Sequence, residues 1–205
     1  MTTKAKPVVA ITMGDPCGIG PEVIAKALSL EGIYGPYHPV VIGNAQCMER
    51  AMRLVDSPSQ VQVLQSLDGT ASKPGVIEIL DPGNLDPADV TIGQISAPCG
   101  KAAMQWVTRA GELALACQVD AIATAPLNKE AASLAGYTAI GHMELLQELS
   151  GAETVATMLM SGRLRVVHLS THWSLRRAID YVNKDRILSF LKLTHHNFTQ
   201  WGIPR

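Results

Sequence analysis

Three polar side chains in the middle of the chain, Asn128, Lys129 and His142, are of types that could carry chemistry. Asn128 and Lys129 follow a short apolar run and Pro126, and His142 lies in a Gly-His-Met-Glu segment at the head of a helical pattern. A lysine can supply a point charge for a carboxylate or a phosphate. A solvated lysine and a structural histidine in an ordinary strand-to-helix connection explain the same residues, so this pattern leaves both interpretations open.

A glycine-rich turn near the amino terminus is a second candidate. Its nine residues, GDPCGIGPE at positions 14–22, follow the apolar run Val8–Met13 and precede a helical pattern. Such a turn exposes backbone N–H groups that can hold an anion, although glycines at 14, 18 and 20 do not form the GxGxxG dinucleotide fingerprint. We expect Cys17, inside the turn, to be structural, because a nucleophilic thiol needs an activating base nearby.

Two histidines near the carboxyl end of the chain are candidate metal ligands. His168 and His172 have a spacing that on a helix would let both bind one metal. The run around them, LRVVHLSTH, is strand-like, so they lie about 13 Å apart and only one can join a compact site. The other three outside the central stretch are expected to be structural or in loops: His38, His195 and His196.

The segments that position these residues alternate between strand and helix patterns. Apolar runs predict buried strands at 8–13, 39–43 and 121–123, with an irregular β region at 57–89. Helices are predicted at 23–30, at 46–55 with Asn44 as a cap, and after residues 129 and 141. Two strands separated by Ser161 and Gly162 precede two further helices. This alternation predicts an α/β fold.

Two of the predicted helices carry a marked apolar side. The longest spans 96–118, and its stripe should face the core or a partner subunit: Ala103, Val107, Ala110, Ala114 and Cys117. The last helix begins after Asn183, and we expect Ile187, Leu191 and Phe198 to mark its buried side.

Composition excludes several classes of protein. Among 205 residues, 47% are hydrophobic and 17% are charged, which is ample material for a core. A net charge of −1 argues against a nucleic-acid or anionic-membrane surface. No apolar run approaches the roughly 20 residues of a membrane span, and no secretory signal is visible. We therefore expect a soluble, cytoplasmic protein whose four cysteines are reduced.

Three motifs, in order, resemble the 4-hydroxythreonine-4-phosphate dehydrogenase family. They are GDPCGIGPE, then TAPLNK at 124–129 followed by GHME at 141–144, and a strand ending in Thr171-His172. The resemblance covers essentially the whole chain. It implies an α/β fold of the isocitrate/isopropylmalate dehydrogenase type with two domains, 1–125 and 126–205, and with the C-terminal part of that fold missing.

The resemblance also implies a reaction. Relatives oxidise a phosphorylated hydroxy acid with NAD, with decarboxylation, and a divalent metal (Zn, Mg, Mn or Co) polarises the reacting oxygen. Met143 stands where the family's original members have threonine. That departure and the segment THWSLRRA are closer to the branch acting on 4-phospho-D-threonate or 4-phospho-D-erythronate than to the branch acting on 4-phosphohydroxy-L-threonine. The implied partner is a second copy, in a homodimer with a shared active site.

Roles follow from the resemblance residue by residue. It implies His172 as a metal ligand, His142 and Met143 as substrate contacts, Asn128 and Lys129 as catalytic residues, and Gly14, Asp15, Gly18 and Gly20 as cofactor-binding residues. His142 and His172 should then lie in one cleft. Relatives continue past the position of Arg205 into the rest of the site, so we expect the 205-residue chain to be inactive. The alternative is a catalytically silent metabolite-binding or subunit-interaction protein.

Overall fold

Apolar runs of the sequence form one parallel sheet in the computed structural model, which describes residues 6–67, 72–138, 141–171 and 173–203. The strands are β1 (Val8–Thr12), β2 (His38–Ile42), β3 (Gln60–Leu64), β4 (Val76–Leu80) and β5 (Ala121–Thr124). Within the described residues their order is β3-β4-β2-β1-β5, and every neighbouring pair is parallel. Parallel pairing places the loops after β1 and β5 side by side at the carboxyl edge of the sheet.

Helices connect these strands, as the alternating pattern predicts. They are α1 (Gly20–Leu28), α2 (Ala45–Leu54), α3 (Ala97–Leu115), α4 (Lys129–Leu134) and α5 (His142–Ser150), with short 3-10 helices at Glu31–Tyr34 and Pro87–Asp89. The predicted cap at Asn44 is confirmed, since its side chain accepts a hydrogen bond from the Cys47 backbone N–H. Ser96 and Asn128 cap α3 and α4 in the same way.

Helix α3 is the central support of the carboxyl edge, because α4 and α5 both pack on it. Trp106 and Val107 are fully buried within it. Gly100 allows α4 to approach closely, since a Cβ at this position would collide with the backbone carbonyl of Ala131. The predicted stripe is therefore core, except at its end: Cys117 lies beyond the helix, exposed and with a positive φ.

His38 is placed differently from the sequence-based prediction. It is the first residue of β2 rather than a loop residue, and it is buried. The residue before a proline is pushed towards extended backbone, which favours the start of a strand as readily as a loop. The partner that permits its burial, Glu78, comes from β4 and lies far along the chain.

Clustering of contacts divides the chain into two compact units, Met1–Gly151 and Ala152–Arg205. Residues on both sides of Pro126 belong to the first unit. As a division between the two domains of the longer family fold, the boundary near Pro126 stays a prediction.

The second unit carries an antiparallel hairpin of β6 (Met158–Ser161) and β7 (Leu164–Val167), followed by α6 (Leu175–Tyr181) and α7 (Lys184–Gln200). The predicted helix cap at Asn183 is confirmed by its hydrogen bond from the Arg186 N–H. The predicted buried side of α7 is wrong at two of its three residues, because Leu191 is 61% exposed and Ile187 41% exposed, whereas Phe198 is half-buried. An apolar stripe indicates which side of a helix is suited to burial, but it does not show whether another part of the protein covers that side. Within the described residues, no helix is both long enough and apolar enough to cross a bilayer.

Candidate functional site

The loops that follow β1 and β5 are locked together by their backbones. The Asp15 N–H donates to the carbonyl of Pro126 at 2.9 Å. Gly14 adopts a φ of 70°, and a Cβ there would collide with that same carbonyl. Only glycine combines the left-handed conformation with this close approach, so packing between the two loops accounts for Gly14.

The carboxylate of Asp15 adds a second connection between the loops. Its Oδ1 accepts from the Cys17 N–H at 2.9 Å, and the Asn128 side chain donates to the carboxylate. Burial raises the pKa of Asp15 above 3.8, while these two hydrogen bonds act in the opposite direction. A buried carboxylate with donors from two loops is a connecting element of the site.

The glycine turn uses part of its hydrogen-bonding capacity internally. Besides the Cys17 N–H, the Gly18 N–H is taken by the Asp15 carbonyl at 3.0 Å. The amino end of α1 still has no side-chain cap, so it remains a place where an anion is favoured. The assignment of Gly14, Asp15, Gly18 and Gly20 to a cofactor stays a prediction.

His142, the first residue of α5, lies at the same edge of the sheet. Its ring donates a hydrogen bond to the backbone carbonyl of Ala125. Its Nε2 is buried and has no hydrogen-bond partner among the residues that the structure describes. We therefore assign the ring proton to Nδ1, and in this tautomer the neutral ring presents the lone pair of Nε2 as an unused acceptor.

The electrostatics keep this imidazole neutral near pH 7. Burial lowers the pKa of His142 below 6.5, and the positive charge of Lys129 lowers it further. The hydrogen bond to Ala125 and the negative charge of Glu144 act in the opposite direction. Lys129 itself is exposed at the start of α4, and its positive charge acts on the neutral ring of His142. Met143 follows on α5, with 38% of its surface exposed.

A metal centre does not assemble within the described part of the chain. The expected ligand His172 lies outside the described residues, so its proximity to His142 stays a prediction. Across the described ranges, no three His, Cys, Asp or Glu side chains come together as ligands. His168 is half-buried beyond β7, and its backbone N–H donates to Thr157. His195 and His196 are exposed on α7.

Cys17 packs against another cysteine, as expected of a structural residue. Its thiol donates to the sulfur of Cys99, in the first turn of α3, at 3.3 Å. Both are buried, and burial raises the pKa of Cys99 to about 12. A protonated, buried thiol is a poor nucleophile.

Sequence reasoning missed how the candidate residues are connected. The resemblance implies a cofactor role for Asp15, and it gives no sign that the Asp15 carboxylate meets the side chain of Asn128 on another loop. The Ala125 carbonyl that orients His142 is a backbone atom, for which residue type carries no signal. Adjacent loops after parallel strands were the available clue, since such strands end at one edge.

The fold and these motifs define a family. Residues 36–205 match the family described as "Pyridoxal phosphate biosynthetic protein PdxA". The chain belongs to this family, and the family and α/β fold predicted from the motifs are confirmed.

Individual relatives carry more specific names. The chain is 39% identical over 197 residues to the D-threonate 4-phosphate dehydrogenase of Cupriavidus necator, covering 96% of this chain and 59% of that protein. It is 40% identical over 187 residues to the Pectobacterium atrosepticum protein of the same name, covering 91% and 57%. A crystal structure of 4-hydroxythreonine-4-phosphate dehydrogenase from Klebsiella pneumoniae superposes with a TM-score of 0.91 at 36% identity, covering 100% of this chain and 62% of that one. The chain thus spans less than two thirds of these relatives.

Proposed function

We propose that the chain carries part of the active site of an NAD-dependent dehydrogenase for a phosphorylated hydroxy acid such as 4-phospho-D-threonate or 4-phospho-D-erythronate. The buried acceptor Nε2 of His142, whose ring feels the positive charge of Lys129, supports this proposal best. Such a substrate offers a hydroxyl that donates a hydrogen bond and anionic groups that favour a cation. The names of the relatives from Cupriavidus necator and Pectobacterium atrosepticum agree with this substrate class.

The proposed substrate contacts of His142, Lys129 and Met143 follow from their charge and hydrogen-bonding capacity. A neutral imidazole whose Nδ1 donates to the backbone can only accept at Nε2, so His142 takes a substrate hydroxyl rather than a carboxylate or phosphate. Lys129 takes an anionic group as a point charge. Met143 offers no hydroxyl to the substrate, which removes one possible hydrogen bond relative to a threonine and alters which polyol phosphate is favoured.

The cofactor would lie against the glycine turn. When bound, NAD would supply an acceptor for the hydride that leaves the substrate carbon. The uncapped amino end of α1, which begins at Gly20 and follows Gly18, would face the diphosphate. Two acidic residues limit how much further negative charge this end can accept. Asp15 is buried in the glycine turn, and Glu22 lies in the first turn of α1. A divalent metal held in part by His172, and a homodimer with a shared site, belong to the same proposal.

Ligand binding tests the substrate class. Adding 4-phospho-D-threonate to the chain labelled with ¹⁵N-histidine should shift the His142 ring resonances in a saturable way, and unphosphorylated D-threonate should act only at higher concentration. Lys129→Ala should weaken the binding of 4-phospho-D-threonate more than the binding of D-threonate. Lys192→Ala on α7 is the matched control and should change neither. A His142 resonance that does not respond to the phosphorylated acid would contradict the proposal.

Turnover is a separate measurement on the same material. We expect no NAD reduction by the 205-residue chain with 4-phospho-D-threonate and added divalent metal, while a full-length relative assayed in parallel is active. Saturable binding without turnover is also the behaviour of the alternative, a metabolite-binding protein, so the longer protein must be assayed to separate the two. Turnover by the chain itself, abolished by His172→Ala, would contradict our expectation that it is inactive.

A further inference from the structure

The side-chain amide of Asn128 is committed at both ends. Its Oδ1 accepts from the Ala131 N–H at 3.0 Å and caps α4. This acceptor role fixes the orientation of the amide, so the NH₂ group is the end that donates to Asp15. A side chain held in this way is poorly placed to act on a substrate, although sequence motifs suggested a catalytic role.

Asp15 connects that amide to the other loop. Only 6% of the residue is exposed, and its carboxylate also accepts from the Cys17 N–H. Its own N–H donates to the Pro126 carbonyl. Asp15 therefore contacts the segment 125–128 from two directions, through its backbone at Pro126 and through its side chain at Asn128.

His142 depends on the same segment for its orientation. The carbonyl of Ala125 accepts from the His142 ring, and the Ala125 N–H donates to Thr12 at the end of β1. A shift of the segment would move the carbonyl that selects the tautomer of His142. It would also move Lys129, which begins α4 directly after Asn128.

We propose that Asp15 and Asn128 are positioning residues, a hydrogen-bonded pair that holds the segment 125–128 so that His142 presents Nε2 as an acceptor beside Lys129. The role of that acceptor towards a substrate rests on the proposed function, whereas the positioning itself does not. The pair acts through Ala125 and Lys129 and requires no contact with substrate or cofactor.

A carboxylate is the group that this position requires. It accepts simultaneously from the Cys17 N–H and the Asn128 amide. In Asp15→Asn, the new amide keeps only one of the two acceptor oxygens and places a donor NH₂ group where the other stood, so the accepting capacity at this position is halved. Asn128→Ser is the complementary change, because serine keeps a helix cap for α4 and removes the donor to Asp15.

The tautomer of His142 is the measurement that separates positioning from general stability. Long-range ¹H–¹⁵N spectra of the folded chain, recorded where the imidazole is neutral, show which ring nitrogen carries the proton. The unmodified chain should show the Nδ1–H form, since that nitrogen donates to Ala125. Asp15→Asn and Asn128→Ser should each convert a large part of the population to the Nε2–H form.

The matched control is Asp120→Asn. Asp120 also uses a carboxylate to accept a backbone N–H, from Val8 at 2.7 Å, but at the opposite end of the β1–β5 pair. It should leave the Nδ1–H form intact even if it lowers stability. If Asp15→Asn does not fold, Asn128→Ser decides the question alone.

An Nδ1–H form that persists in folded Asn128→Ser would overturn the proposal, as would an equal loss of that form in Asp120→Asn. The outcome is independent of catalysis. If the unmodified chain fails to bind 4-phospho-D-threonate while the tautomer responds as expected, the proposed function fails and the positioning pair stands.

Discussion

The imidazole of His38 and the carboxylate of Glu78 are hydrogen-bonded inside the sheet, with 2.6 Å between Nε2 and Oε2. They join the neighbouring strands β2 and β4, and both side chains are buried. The negative charge of Glu78 and burial together raise the pKa of Tyr34, whose hydroxyl donates to the Leu28 carbonyl. This polar cluster helps to hold the central strands together and contributes nothing to the candidate site.

Removing one member of this pair should destabilise the fold more than removing both. His38→Leu or Glu78→Leu leaves the other buried group unpaired, at a cost of about 3–5 kcal/mol, whereas the double variant avoids that penalty. Urea unfolding of the two single variants and the double variant measures this difference. A double variant as unstable as the sum of the single variants would show that the two residues do not interact.

Gly14→Ala should lower the free energy of unfolding by more than the cost of placing an alanine at a positive φ. A left-handed φ costs an alanine about 1–2 kcal/mol, and the collision with the Pro126 carbonyl adds about 1–3 kcal/mol. Gly75→Ala is the control, because Gly75 has a φ of 82° and open space around it. Equal losses of unfolding free energy in the two variants would refute the close approach of the loops.

His142 should make the stability of the first unit depend on pH. Its pKa is lowered in the folded chain, mainly by burial, so at mildly acidic pH the unfolded chain binds a proton more readily than the folded chain. Stability should therefore fall as the pH drops through the ordinary histidine pKa of about 6.5. Unfolding curves at several pH values should show this loss, and His142→Asn should reduce it. If the unfolding free energy of that variant falls with pH as steeply as before, groups other than His142 cause the pH dependence.

The cysteines should differ sharply in reactivity. Cys117 is exposed, while Cys17, Cys47 and Cys99 are buried, and burial raises the pKa of Cys47 to about 11. An aromatic disulfide reagent should modify one thiol rapidly in the native chain and the others only after unfolding. Cys117→Ser should remove the rapid phase. A second rapid thiol would contradict the burial of the other three cysteines.

Local patterns predicted several of the strands and helix caps. The apolar run before Gly14 and that before Pro126 are strands, and Asn44 and Asn183 are caps. These features depend on residues close in sequence, through side-chain periodicity and short-range hydrogen bonds.

What could not be predicted depends on residues that are distant in sequence. Glu78 permits His38 to be buried, and Asp15 receives the amide of Asn128. Neither pair has a spacing signature, because register and strand order decide which side chains meet. The exposed Leu191 shows the converse case, in which periodicity identified an apolar side and packing in this chain leaves it uncovered.

The position of β1 between β2 and β5 has a consequence for the order of folding. β1 can pair with β2 soon after both are synthesised, but its contact with β5 closes a loop of more than a hundred residues, as the hydrogen bond from Val8 to Asp120 shows. Closing long loops is slow, because much chain entropy is lost before the contact stabilises anything. On the ribosome, the glycine turn therefore emerges long before the Pro126 carbonyl that fastens it. We expect a nascent chain arrested before β5 to contain a paired β1 and β2, with the glycine turn still unlocked.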